Sequence, residues 1–338
     1  MATRALQADP HGLTKNQHFV SQVEQRLNAH NPGARPENQR IYEFEIVDRD
    51  RHQVRLVNPN GRTISSSLSM LDLFSFDVAD NGVRANLERV FSTYEDRIGD
   101  LTKKLLHAHA HATRSNEINQ EVFDLFVAKM VNFIRNPFSV AKVLNTFGIM
   151  GQHHPTDPQV YAEYQRILTG RRPQQAHLCA KLGISDQQYE AWLRVLFMLL
   201  TPLANGQVTM LEQALGALFE GREHALHIHL HTYTTQRCLL SDRGWTVPVP
   251  EDRHLVFDFN LSAQAFIRYA FLDYEAALGY PLPPMIRQGL SRGPKLVQHW
   301  YLHDDIVALD VFHRRIIEQS FERVFSSGPS PYSVTVLE

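Results

Sequence analysis

The sequence predicts an α+β protein, with strands towards both ends and helices between them. Three observations carry this. Apolar and polar residues alternate between Tyr42 and Leu56, apolar residues recur every third or fourth position from about 81 to 220, and alternation returns at Leu226. The pattern divides the chain into an amino-terminal signature with a β-meander (1–80), a helical block (81–222), and carboxy-terminal strands with a closing helix (223–338) that share a sheet with the first segment. The simplest closure is one mostly antiparallel sheet built from N- and C-terminal strands, with the helices layered on one face or inserted as a subdomain.

Each element has a local reason. Tyr42, Phe44 and Ile46 alternate with Glu43, Glu45 and Val47, and after the polar break Asp48-Arg49-Asp50-Arg51 the residues Val54 and Leu56 resume the pattern, which reads as a hairpin. Asn58-Pro59-Asn60-Gly61 is a turn signal, since Asn and Gly tolerate positive φ. Leu87, Phe91, Tyr94, Ile98, Leu101 and Leu105 mark one helix face. Val122, Phe123, Phe126, Met130 and Phe133 mark another, which Asn136-Pro137 stops because proline disfavours helical geometry in the residue before it. Ser185-Asp186 caps a helix carrying Trp192, Val195, Leu196 and Leu199, and Thr201-Pro202 ends it. Further strands are expected at Leu226–Tyr233, Cys238–Leu240, Thr246–Val249 and Leu255–Phe259, and a closing amphipathic helix over about 303–324.

Bulk properties narrow the function classes. With 338 residues, 43% hydrophobic and 21% charged, the chain has the composition of an ordinary globular protein large enough for two domains or one domain with an insertion. A formal charge of −2 argues against a general nucleic-acid electrostatic footprint and leaves only a local basic groove. Two cysteines, Cys179 and Cys238, are too few for a disulfide framework. No run approaches the roughly 18 apolar residues of a membrane span, so a cytoplasmic protein with no membrane partner is expected.

Two polar signatures more than 200 residues apart supply the candidate chemistry: Lys15-Asn16-Gln17-His18-Phe19-Val20-Ser21-Gln22, and Leu239-Leu240-Ser241-Asp242-Arg243-Gly244-Trp245 after an apolar run. His18 can exchange a proton near neutral pH. On a helix, Lys15 and Gln22 would share its face, offering a cation and an orienting amide; otherwise His18 is a structural histidine and Lys15 is solvated. Asp242 at a strand end could orient His18, bind a cation or act as a base; alternatively it makes a tight turn. The alternate histidines 227, 229 and 231, with His224, form the loudest metal-like cluster, yet no carboxylate or cysteine completes it, and a solvated strand face is expected. His107, His109 and His111 at a helix end, and His153-His154 in a loop, read as structural. Glu88 and Glu95 lie on a strongly apolar helix; a solvated face is expected, the other reading being a second carboxylate turned towards the sheet. Asp310, between Leu309 and Val311, is a candidate buried carboxylate that would need a partner. Neither Ser241 nor Cys179 has the context of a covalent nucleophile.

These residues, taken in order, give the chain a resemblance to the uncharacterised bacterial family called domain of unknown function 4238. His18-Phe19-Val20-Ser21-Gln22 resembles its His-Tyr-Val-Pro-Gln opening, Asn86–Asp96 its Glu-bearing helix, Leu239–Asp242 its Ser-Asp-Asn-Pro element, and Ala308-Leu309-Asp310 stands where its closing Asn is expected. Ser21 replaces the usual Pro, Arg243-Gly244-Trp245 replaces Asn-Pro, and Asp310 replaces Asn. The resemblance implies that His18, Gln22, Ser241 and Asp242 belong together, and an association with mobile bacterial genes; it lends no activity.

The resulting expectation is a hydrolase acting on nucleic acid or nucleotides in bacterial conflict, such as phage defence or a toxin. His18 would be its acid or base, Asp242 its orienter and Lys15 the cation facing phosphate. Gln22, Ser241, Arg243, Glu95 and Asp310 would bind substrate. No metal ligand is singled out, although a divalent metal is admitted as cofactor. The alternative is a non-catalytic component that senses a ligand or engages a protein partner. A third reading is that both signatures only tie the sheet together.

Overall fold

The protein is described from a computed structural model, which covers residues 15–111, 117–202, 208–247 and 254–337. It is an α+β fold rich in antiparallel sheet. The chain divides into two compact units: Met1–Ser21, Leu68–Arg97 and Met130–Leu215 form one, and Gln22–Ser67, Ile98–Lys129 and Gly216–Glu338 the other. The division falls inside three helices, Glu88–Ala110, Asn119–Arg135 and Met210–Glu220.

In the second unit, strands from both ends of the sequence share a sheet. Its order is Thr335–Leu337, Gln53–Leu56, Arg40–Asp48, Arg323–Ser326, Leu240–Ser241, with Arg62–Thr63 also paired to Arg40–Asp48. Arg323–Ser326 runs antiparallel to Arg40–Asp48, setting Val324 against Phe44. The apolar residues of this sheet and of the closing helix make one core: Phe44, Val54, Leu239, Leu309, Phe312, Ile316 and Val324 are all buried. That helix spans Ile306–Gln319, starting where the Asp305 side chain accepts the Ala308 N–H.

The remaining carboxy-terminal strands form a separate four-stranded sheet rather than extending the first. Its order is His254–Ser262, Ala265–Leu272, Ala225–Thr232, Val297–His303, with the last strand parallel to its neighbour. Val297–His303 carries no clean alternation, which is why the sequence does not announce it. One face of this sheet is aromatic: Phe126 of the helix Asn119–Arg135 sits among Phe257, Phe259, Tyr269 and Phe271, and the Tyr269 hydroxyl donates to the Val122 carbonyl (3.0 Å). Thr246 bridges to Asp258, while the rest of the strand expected at Thr246–Val249 lies partly outside the described residues.

The first unit is mainly helical. Asn16–His18 pairs with Ser69–Leu71, and Ser75–Val78 with Arg84–Asn86. The helix Asp186–Leu200 begins with a capping box in which Ser185 and Gln188 satisfy each other's backbone amides. It buries Tyr189 and Trp192, whose polar ends reach the Leu73 and Ile134 carbonyls (2.8 and 2.7 Å). The helix Asn119–Arg135 ends at Arg135, and the Asn136 side chain accepts the Phe138 N–H across the proline stop.

Candidate functional site

Two of the expected catalytic residues lie in the first unit and one in the second. Lys15 is exposed, its carbonyl accepting the Asp72 N–H (2.8 Å). His18 is buried on a strand, opposite Ser69, and not on a helix, so the shared helical face expected for Lys15, His18 and Gln22 does not exist. Gln22 instead opens the short helix Gln22–Leu27 and accepts from the Arg26 guanidinium (2.6 Å).

Asp242 is buried, and its two oxygens accept the N–H groups of Phe321, Glu322 and Arg323 at 2.7, 2.7 and 2.9 Å. Burial pushes its carboxyl up, and those three hydrogen bonds pull against the rise. Asp242 thereby fixes the turn after the closing helix, the tight-turn alternative given for it above. Ser241 supports the same corner, its Oγ sharing a hydrogen bond with the Ser320 Oγ (2.8 Å) and accepting the Arg243 N–H (3.0 Å). Arg243 is half-buried, and Asp310 is half-buried in an ion pair with Arg314 (2.9 Å).

The histidine strand differs most from expectation. His227 and His231 are buried, so the face is not solvated. Across the sheet, Asp258, Arg268, His229 and Trp300 stand side by side in register. Arg268 grips the wholly buried Asp258 at both oxygens (2.7 and 3.0 Å), and Arg315 of the closing helix adds a third bond (3.2 Å). In the neighbouring row His231 stacks on Phe266 (4.3 Å between ring centres), which stacks on Phe312 (4.1 Å). Both His231 ring nitrogens lack hydrogen-bond partners. Burial, aided by Arg268, holds His229 and His231 down to about 4, so both are neutral near pH 7. Three rings stacked about one strand repeat apart do not converge on a point. Among the described residues no group of three or more His, Cys, Asp or Glu is placed to hold a metal ion.

The polar groups that do converge lie in the first unit, at the start of the helix Glu88–Ala110. Glu88 and Glu95 are two turns apart, so they fall on one side of the helix. Glu95, 22% exposed, is ion-paired with Arg135, which is fully buried. Arg135 also donates to the Asn132 Oδ1 (2.7 Å) and lies over the Phe91 ring (5.0 Å). Asn86 accepts the Glu88 N–H (3.1 Å). Three buried polar atoms here have no partner: Glu88 Oε1, Asn86 Nδ2 and Arg135 Nε. Unsatisfied buried polar atoms are rare in native proteins, and each asks for an explanation in function or in an absent ligand.

Electrostatics separate the two carboxyls. Burial pushes Glu88 up to about 7; the Arg135 cation pulls it down and the Glu95 charge raises it again. A carboxyl of this kind beside an ion-paired one provides an acid and an anion together at neutral pH. Of this set the sequence reading weighed Glu88 and Glu95 but missed Asn86, Asn132 and Arg135. A signal was present: Lys129, Asn132 and Arg135 form a polar stripe at three-residue spacing within an otherwise apolar helix, and all three are buried. Cys179 is pushed up to about 11, first by burial, which leaves it an inert thiol.

No helix among the described residues is long and apolar enough to cross a membrane. No family model, no curated protein and no solved structure matches this chain.

Proposed function

We propose that the chain is a hydrolase with Glu88 as its acid–base group, and that its substrate class is nucleotide or nucleic acid. The observation that carries the reading is an asymmetry: two carboxyls share one helix side, Glu95 bound to a buried arginine and Glu88 with an unpartnered buried oxygen. Hydrolysis needs a group that gives and takes a proton close to the working pH, and a carboxyl near 7 is suited to it. Burial keeps Glu88 protonated, and Glu95 and Arg135 are positioning residues that tune it: the guanidinium limits the rise and the anion adds a little to it. The Asn86 amide has a free donor with which to orient substrate.

The choice of nucleotide or nucleic acid draws on the exposed Lys15 cation and on the resemblance given above; the setting in bacterial conflict draws on the resemblance alone. His18 belongs to the same unit and remains the second acid–base candidate.

The test is a hydrolysis panel of nucleotides, single- and double-stranded DNA, RNA and bis-p-nitrophenyl phosphate, with the wild type and Glu88→Gln. A drop of about 100-fold, with loss of the pH–rate inflection near 7, is expected. Full activity of a folded Glu88→Gln across pH 5–9 would remove the assignment. The sensor reading is favoured by the buried, unpartnered Arg135 Nε, which a ligand acceptor could complete. Thermal stabilisation by a nucleotide without turnover would select it.

A further inference from the structure

The second unit contains a cavity of about 380 Å³ that neither sequence signature touches. Most of its wall is apolar, formed by Val122, Phe219, Leu226, Ile228 and Val297, and the polar residues Asn119 and Glu220 line it too. Two cations, Arg222 and Lys295, line it as well. Lys295 is half-buried; its ammonium donates to the Gly221 carbonyl and lies 6.0 Å from the centre of the Phe271 ring. The exposed Arg222 guanidinium donates a long hydrogen bond to the Arg292 carbonyl (3.4 Å). Among the described residues neither cation has a carboxylate within ion-pair distance, and the Glu223 charge acts on Lys295 only from farther away.

Lys295 is a partly desolvated cation and Arg222 an exposed one, and a largely apolar cavity beside both fits a ligand that is anionic at one end and apolar at the other. We propose that this cavity binds a small amphipathic anion, with its carboxylate or phosphate head between Arg222 and Lys295 and its hydrocarbon body against Leu226, Ile228 and Val297. The Tyr274 hydroxyl fixes the cationic segment by donating to the Arg222 carbonyl (2.7 Å). The head can therefore meet a preformed site. Burial pushes Lys295 down to about 8, with the Glu223 charge pulling against the fall, and an anion seated beside it would raise it again.

Calorimetric titration of the full chain with octanoate, octyl phosphate and 1-octanol tests this. Saturable binding of at least one of the two anions is expected, at least tenfold tighter than the alcohol. Octanoate binding alone identifies a carboxylate site and octyl phosphate binding alone a phosphate site. Lys295→Met and Arg222→Met should each weaken binding at least tenfold with circular dichroism unchanged, and Val297→Trp should abolish it by filling the cavity. Should Lys295→Met fail to fold, Arg222→Met decides alone. The proposal is overturned if neither anion binds, if octanol binds as tightly, or if a folded Arg222→Met binds like the wild type.

Discussion

Glu24 and Lys129 form an ion pair with both side chains out of contact with solvent, and Lys129 also donates to the Asn260 carbonyl at 2.7 Å. Nearby Asn28 and Asn260 exchange hydrogen bonds at 2.7 and 3.1 Å, so buried polar groups tie the short amino-terminal helix to the four-stranded sheet. Removing one partner of such a pair leaves an uncompensated buried charge. Lys129→Met should therefore lose about 3–5 kcal/mol in urea unfolding, and the double variant Glu24→Gln/Lys129→Met should recover part of it. A loss below about 1 kcal/mol would show that the pair is not buried in solution.

Asp242 offers a test of fold against function. Asp242→Ala strips three backbone amides of a charged acceptor, and unfolding experiments should record a loss of about 2–5 kcal/mol. Hydrolysis by the fraction that remains folded should match the wild type per molecule. A folded, stable Asp242→Ala with no activity would return the catalytic role to this residue.

Glu88 has a thermodynamic signature as well as a kinetic one. Its folded value of about 7 lies above the ordinary 4.5, so between those values the native state holds more proton than the unfolded chain. Its contribution to stability is full below pH 4.5 and is lost as pH rises through 7. Denaturant midpoints should show wild type and Glu88→Gln diverging over that window, by the order of 3 kcal/mol at pH 8. Parallel curves would place Glu88 in water.

The buried histidines act in the opposite direction. His229, His231, His299 and His313 are all held down to about 4, mainly by burial, whereas an unfolded histidine titrates near 6.5. Here the unfolded chain binds more proton, so stability is present above pH 6.5 and is lost as pH falls towards 4. His313 is locked as one tautomer, its Nδ1 donating to the Tyr332 carbonyl (2.9 Å) and its Nε2 accepting the Leu239 N–H (3.2 Å). His313→Gln should flatten part of the acid limb of a melting-temperature profile.

His231 makes no such bonds. With both nitrogens unpartnered and its ring stacked on Phe266, His231→Phe should be neutral or stabilising by up to about 2 kcal/mol. A marked loss of stability, read by thermal melting, would mean that the imidazole nitrogens bind something in solution.

Much of the architecture is legible residue by residue. Ser185 with Gln188 announces a helix start, and Asn136-Pro137 a helix stop, because caps and proline act over a few residues. The spacing from Leu87 to Leu105 names a helix face whose residues are all buried. The candidate site is less legible. Glu88 and Glu95 look like a solvated face in sequence because what distinguishes them is Arg135, forty residues beyond Glu95, and no local pattern encodes that distance.

By itself the sequence determined the α+β class and the sheet built from strands at both ends, since hydrophobic period and turn chemistry are properties of neighbouring residues, whereas the closing helix expected over about 303–324 is confined to Ile306–Gln319 by strands on either side. Only the tertiary structure decided which polar groups are buried and what they meet: Asp242 its amides near residue 322, His231 its aromatic stack, and Glu88 its desolvation beside Arg135. Proton affinity and hydrogen-bond satisfaction depend on solvent exclusion and on charges a few ångströms away, and both exist only once distant segments have come together.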